Sequence, residues 1–155
     1  WKHPKKGDKM KILQRILDKV SKPTTAYAHC DIPCGVYEVD TMKHAVETIE
    51  AMTTKMLEQK HPECGNPDEK NYHNTLSRMV ATKEEWAQRC KQELLILWTD
   101  HFKPEHLEKW PDLHDKIWKA AKLCSEVKRE VNPEKVQQLK TAVDGIAEIF
   151  AASKR

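Results

Sequence analysis

Glycine is scarce in this chain, with only 4 among 155 residues, and strand-forming residues never cluster in alternation. This shortage argues against a sheet protein and favours an all-α fold with few turns. Because no run of about 18 uncharged apolar residues occurs, no membrane-spanning helix is predicted. The glycine-rich phosphate-binding motifs and the Gly-x-Ser-x-Gly motif are also missing, which argues against standard nucleotide sites and an α/β-hydrolase.

Charge is unevenly divided along the chain, although the net charge is only +3. Residues 1–28 carry eight Lys and Arg against two Asp, a net of +6, which leaves residues 29–155 with a net of −3. A basic head on a mildly acidic body indicates that 1–28 is a separate leader. Its apolar residues share one helical face, but charges interrupt any signal-peptide core. The body is too acidic to predict a nucleic-acid partner.

The body, residues 40–155, shows the period of amphipathic helices. The first helix is predicted to start at Asp40 as the N-cap and to end near His61-Pro62, since proline stops a helix. The second is predicted over residues 71–102, with its apolar stripe interrupted at Lys83-Glu84.

Two further stripes follow, one beginning at Trp110 and one after Asn132-Pro133, a cap followed by a first-turn proline. Four such helices with short joints predict an antiparallel four-helix bundle. The predicted inward residues are Met42, Ala45, Ile49, Met52, Met56; Leu76, Val80, Ala87, Cys90, Leu94, Leu97; Trp110, Leu113, Ile117, Ala120, Cys124, Val127, Val131; and Val136, Leu139, Val143, Ile146, Phe150.

The segment between leader and bundle fits no helix and concentrates metal-binding side chains. One imidazole and two thiols, from His29, Cys30 and Cys34, lie within six residues, while Pro33 and Gly35 favour a tight turn. Thiolate sulfur and imidazole nitrogen bind zinc, copper(I), iron–sulfur or nickel. A zinc site normally needs four side chains, so here the backbone would have to complete the set.

Cleavage between Ala28 and His29 would create the missing donors in this hook, residues 29–39. The new α-amine and the Cys30 amide nitrogen would lie beside the Cys30 sulfur and the imidazole. Two nitrogens and two sulfurs in a plane, with an imidazole above, suit square-planar Ni(II). A simple Cys30–Cys34 disulfide is the structural alternative for the two thiols.

Other cysteines and histidines have their own alternatives. Cys90 and Cys124 lie on apolar stripes and are expected to be small core residues. His61, Cys64 and His73 flank a loop and are a weaker alternative as a second metal site.

Residues 29–37, His-Cys-Asp-Ile-Pro-Cys-Gly-Val-Tyr, resemble the nickel-binding hook of the nickel-dependent superoxide dismutase family. Residues 97–104 and 106–114 resemble the family's connection between the second and third helices. The resemblance covers essentially all of residues 29–155. It implies a four-helix bundle assembled as a homohexamer, a leader removed by a maturation protease, one nickel per subunit and superoxide as the substrate.

The resemblance also implies the ligands and their surroundings. Nickel would be held by the α-amine and axial imidazole of processed His29, the amide nitrogen and thiolate of Cys30, and the thiolate of Cys34. Cycling between Ni(III) and Ni(II) would convert superoxide to dioxygen and hydrogen peroxide. Tyr37 would position the anion or an ordered water, although a simple packing role is its alternative, and Asp31 would fix the loop.

Pro33 would shape the turn, through a peptide that the resemblance implies is cis. At the mouth of the site, Lys103 is a candidate for attracting the anion. Many relatives have a tyrosine where His101 stands, and a histidine there could hydrogen-bond and titrate near neutrality. Some relatives hold the axial histidine with a glutamate and an arginine, where this chain has Ala45 and Trp86.

An alternative function from another class is a non-catalytic nickel- or copper-binding helical assembly protein with an uncleaved hook. The Ala28–His29 bond discriminates the two hypotheses, because only the enzyme needs it cut. Five cysteines is an odd number, and the thiolates must stay reduced until nickel arrives, so the cytoplasm is the expected compartment.

Overall fold

The computed structural model describes residues 35–63 and 65–154, so the leader and hook residues 29–34 lie outside the described part. This part contains α1 (Asp40–Glu58), α2 (Glu69–Ile96), α3 (Pro104–Lys109), α4 (Leu113–Arg129) and α5 (Pro133–Ser153). A π-helical turn, Leu97–His101, continues α2. No strand occurs within these ranges, and the predicted all-α fold is confirmed.

The four long helices form a closed ring around one core. Helix α1 packs on α2 and α5, and α4 packs on the same two helices. The short connections make neighbouring helices antiparallel. The start of α1, the end of α2, the start of α4 and the end of α5 therefore meet at one end of the bundle, which we call the hook end.

The core consists of the predicted stripes with a few exceptions. Val80 and Val131 were predicted to point inward, but they are 39% and 41% exposed. Val131 lies beyond the end of α4, and Lys83 takes the inward position near Val80. The buried apolar side chains include Met42, Ala45, Ile49, Ala87, Cys90, Leu94, Leu97, Leu113, Ile117, Ala120, Cys124, Val127, Val136, Leu139, Val143, Ile146 and Phe150.

The buried lysine explains the interruption in the second stripe. Lys83 is only 2% exposed. Its ammonium donates hydrogen bonds to the carbonyl oxygens of Val127, of Lys128 at 3.0 Å and of Glu130 at 2.9 Å. The last carbonyls of a helix have no partner within it, so a side chain of α2 closes the C-terminus of α4.

Helix ends differ from the sequence prediction in three places. Glu38, and not Asp40, caps α1, since its carboxylate accepts from the Asp40 amide at 2.5 Å and the Thr41 amide at 3.1 Å. Helix α1 ends at Glu58, three residues before His61. The short α3 was not predicted, and the third long helix begins at Leu113.

The fourth long helix was predicted correctly at its start. The Asn132 side chain accepts from the backbone amides of Glu134 and Lys135 at 3.0 and 3.3 Å, with Pro133 in the first turn. Across residues 35–63 and 65–154, no helix has the length and apolar character needed to cross a membrane.

Candidate active site

Some of the predicted site residues lie outside the described part of the chain, and the others lie within it. Ala28, His29, Cys30, Asp31, Pro33 and Cys34 lie outside the described residues, so the predicted ligand set and the cis peptide stay predictions. Four other candidates, Gly35, Tyr37, His101 and Lys103, are placed by the structure at the hook end.

Gly35, within the hook, has a backbone conformation that favours glycine. Gly35 has a φ of +67°, in the left-handed region that disfavours side chains, and among the described residues no atom beyond its chain neighbours lies within 4 Å of where its β-carbon would be. Val36 follows and is 64% exposed. Tyr37 is half-buried and packs against the core, so it is the first described residue that anchors the hook on the bundle.

His101 lies under the Tyr37 ring, and the two ring centroids are 5.3 Å apart. The π-helical turn at the end of α2 carries this histidine, half-buried, against the Phe150 ring at 4.7 Å. Its Nε2 is 2.8 Å from the Ser153 hydroxyl of α5. The structure therefore brings together Tyr37 and His101, two residues that are distant in sequence and were both predicted for the site.

Positive charge surrounds this histidine. Burial lowers the pKa of the His101 imidazole below its ordinary value, and His106, Lys154 and Lys103 lower it further. A neutral imidazole carries one donor nitrogen and one acceptor nitrogen, so His101 can take or give a proton at neutral pH. The same positive surroundings favour an approaching anion.

Lys103 and His106 are linked at the start of α3. The backbone amide of Lys103 donates to Nδ1 of His106 at 3.0 Å, and Lys103 itself is exposed. The His106 ring stacks on His101 with a centroid distance of 5.8 Å. His106 was not predicted for the site, and it reaches His101 through the unpredicted helix α3.

The last turn of α5 was also missed. Lys154 donates from Nζ to the Tyr37 carbonyl oxygen at 3.0 Å and lies 4.1 Å from the Phe150 ring centroid. A usable signal existed, because an antiparallel four-helix bundle places the end of its last helix beside the start of its first.

The core thiols are separate from this site. Cys90 and Cys124 are free and buried, as predicted. The Cys90 thiol donates a hydrogen bond to the Cys124 sulfur, and this bond, together with burial, raises the pKa of Cys90, so this thiol stays protonated. The predicted donor set, the hook's pair of cysteines with His29, consists of the soft thiolates and imidazole that suit nickel.

The alternative second metal site gains no support among the residues described. The His61 and His73 rings are 5.9 Å apart, and Cys64 lies outside the described residues. In residues 35–63 and 65–154, no group of three or more His, Cys, Asp or Glu side chains is arranged to hold a metal.

Comparison with known proteins decides the family. The family described as nickel-containing superoxide dismutase matches this chain over residues 24–154. The chain belongs to the nickel-containing superoxide dismutase family. Relatives include a protein named superoxide dismutase [Ni] from Streptomyces coelicolor, 33% identical over 131 residues, which cover 84% of this chain and 92% of the relative. Another of that name, from Streptomyces seoulensis, is 34% identical over 128 residues, 83% of this chain and 89% of the relative.

Solved structures of nickel superoxide dismutase share the fold. A native structure superposes with a TM-score of 0.70 at 31% identity, over 82% of this chain and all, 100%, of that chain. A structure with nickel ligation of the oxidised state gives a TM-score of 0.70 at 32% identity, over 81% of this chain and 98% of that chain.

This member of the nickel superoxide dismutase family has apolar residues at two positions singled out in the sequence. Ala45 is fully buried in the core and offers no hydrogen-bonding side chain. Trp86 packs edge-on against the His44 ring at 5.0 Å, with the Arg89 guanidinium 4.9 Å from the Trp86 ring. These two positions therefore offer neither a carboxylate nor a guanidinium.

Proposed function

We propose that this nickel superoxide dismutase becomes active when the chain is cut between Ala28 and His29. The overall reaction converts two superoxide ions and two protons to one dioxygen and one hydrogen peroxide. Bound nickel supplies the one-electron oxidation and reduction that this reaction needs. His29, Cys30 and Cys34 would hold it through one α-amine, one imidazole, one backbone amide nitrogen and two thiolates, so binding releases protons and weakens in acid.

The observation that carries the proposal is the contact between Tyr37 and His101 at the hook end. Tyr37 is the last residue of the nine-residue motif, and its contact with His101 is bordered by positive side chains. In this proposal Tyr37 orients the anion or an ordered water, and Asp31 fixes the loop.

In this proposal His101 supplies a proton and Lys103 attracts the substrate. His101 is held by Ser153 and kept neutral by its surroundings, so it can pass a proton toward the peroxide product. Lys103 raises the local concentration of superoxide, because a positive patch at a site increases the capture rate of an anion.

Assembly and compartment belong to the same proposal. We propose a homohexamer from the family resemblance, in which exposed apolar side chains, among them Leu57 at 57% and Trp118 at 53%, are available for contacts between subunits. A maturation protease would remove the leader. We propose the cytoplasm as the compartment, because free thiolates persist under reducing conditions.

The test compares two chains that differ by one residue. One begins at His29 and the other retains Ala28, and both are loaded with Ni(II) and mixed with superoxide in a stopped-flow spectrophotometer. The proposal predicts rapid superoxide loss only for the chain that begins at His29, since the extra residue removes the amine ligand. Equal activity of the two chains contradicts the cleavage mechanism. Nickel binding without activity in either chain favours the non-catalytic alternative.

A further inference from the structure

The described end of the hook, residues 35–39, contacts the core through Tyr37 and Val39. Gly35 has no side chain that could contact the bundle, and Val36 is mostly exposed. Glu38 is committed to capping α1, where its carboxylate accepts from Asp40 and Thr41. Tyr37 is therefore the contact with the core that lies nearest to the predicted nickel ligands among the described residues.

Lys154, the residue after the end of α5, binds the backbone of Tyr37. Lys154 donates to the Tyr37 carbonyl oxygen at 3.0 Å across a separation of 117 residues. The Phe150 ring holds the lysine at 4.1 Å and also contacts His101 at 4.7 Å. Ser153 completes the turn by bonding His101 at 2.8 Å.

We infer that Lys154 is a positioning residue that fixes the end of the hook, and so the ring of Tyr37, against His101. The inference rests on the proposed function, in which the hook holds nickel. Losing this hydrogen bond frees the Tyr37 carbonyl to bond water and lets the ring leave His101. Because Lys154 is exposed, the expected rise in the detached population is modest, roughly two- to fivefold.

The contact is measured on the metal-free full chain by fluorine NMR with fluorotyrosine. The chain has three tyrosines, and Tyr37→Phe assigns the resonance. Lys154→Met is expected to shift the Tyr37 resonance toward that of a solvated tyrosine, and Lys154→Arg to restore it by donating to the same carbonyl. The matched control is Lys122→Met, which removes an exposed lysine 5.6 Å from the Trp118 ring on α4 and is expected to leave the resonance unchanged.

The second measurement is the rate at which the nickel-loaded, processed chain gives up its metal to a chelator. The inference predicts that Lys154→Met releases nickel faster by the same factor, with the melting temperature unchanged and with rescue by Lys154→Arg. An unmoved Tyr37 resonance, unchanged release or failure of rescue would each overturn it. If the unaltered processed chain binds no nickel, the proposed function fails, while the fluorine spectrum still tests the contact itself.

Discussion

Replacing the buried Lys83 by methionine tests the packing of the bundle most sharply. Methionine has nearly the same length and suits a core, so the change removes the ammonium and little volume. It leaves the Val127 and Lys128 carbonyls without the donor that the structure assigns to them.

The cost follows from opposing effects. A buried polar group left unsatisfied costs about 1–3 kcal/mol, and the loss of a cation from a helix C-terminus adds to it. Removing the ammonium also removes the penalty of burying a charge. We therefore expect a net loss of about 2–3 kcal/mol in the free energy of unfolding, or roughly 8–12 °C in melting temperature for a domain of this size.

Alkaline pH sharpens the test. Burial lowers the pKa of Lys83 from its ordinary 10.5, and Glu84 opposes this shift. Between the folded and unfolded pKa values the unfolded chain binds more protons, so wild-type stability rises with pH in that window. Lys83→Met lacks this rise, and its deficit relative to wild type should therefore widen as the pH approaches 10.5.

The assay is urea unfolding of the metal-free full chain, followed by circular dichroism. Lys91→Met is the matched control, because Lys91 is on the same helix and, among the described residues, its ammonium donates to one neutral acceptor on α4, the Ser125 hydroxyl at 3.1 Å. The control should lose about 1 kcal/mol or less. If Lys83→Met is no less stable than Lys91→Met, the lysine does not hold the end of α4.

Three further predictions concern the hook end. On acidification below the ordinary histidine pKa of 6.5, the His101→Tyr variant should lose less stability than wild type. The reason is that the His101 imidazole binds a proton at a higher pH in the unfolded chain than in the folded one, which destabilises wild type. Unfolding free energies measured as a function of pH check this, and parallel curves for the two proteins would refute it. Lys103→Met should reduce superoxide capture roughly twofold to tenfold at low ionic strength but not at high salt, whereas Lys109→Met should not. Gly35→Ala should destabilise the chain by about 1 kcal/mol in thermal unfolding and Gly145→Ala, within α5, should not; equal effects would contradict the conformational argument.

Much of the fold could be predicted from apolar spacing alone. The stripe from Val136 to Phe150 is buried throughout, and Asn132 caps its helix as its sequence context indicated. Apolar spacing did not predict that Lys83 is buried. A lysine among apolar residues reads as an interruption, and only the partner carbonyls of Val127 and Lys128 show why it is inside.

The candidate site was predictable in part. Tyr37 and His101 were identified by resemblance, and the structure puts them in contact. Lys154 and His106 could not be found from local pattern, because both act through tertiary neighbours and neither carries a motif. Topology alone could have drawn attention to Lys154, since it ends the last helix of an antiparallel bundle.

The mass of the mature protein tests the central claim most directly. The chain is produced in nickel-supplied cells together with a matched maturation protease shown to cut a known substrate, and it is measured by native mass spectrometry. The account predicts a species that begins at His29 and carries one nickel per chain in an assembly of six chains. A metal-free protein that still begins at Trp1 would contradict it.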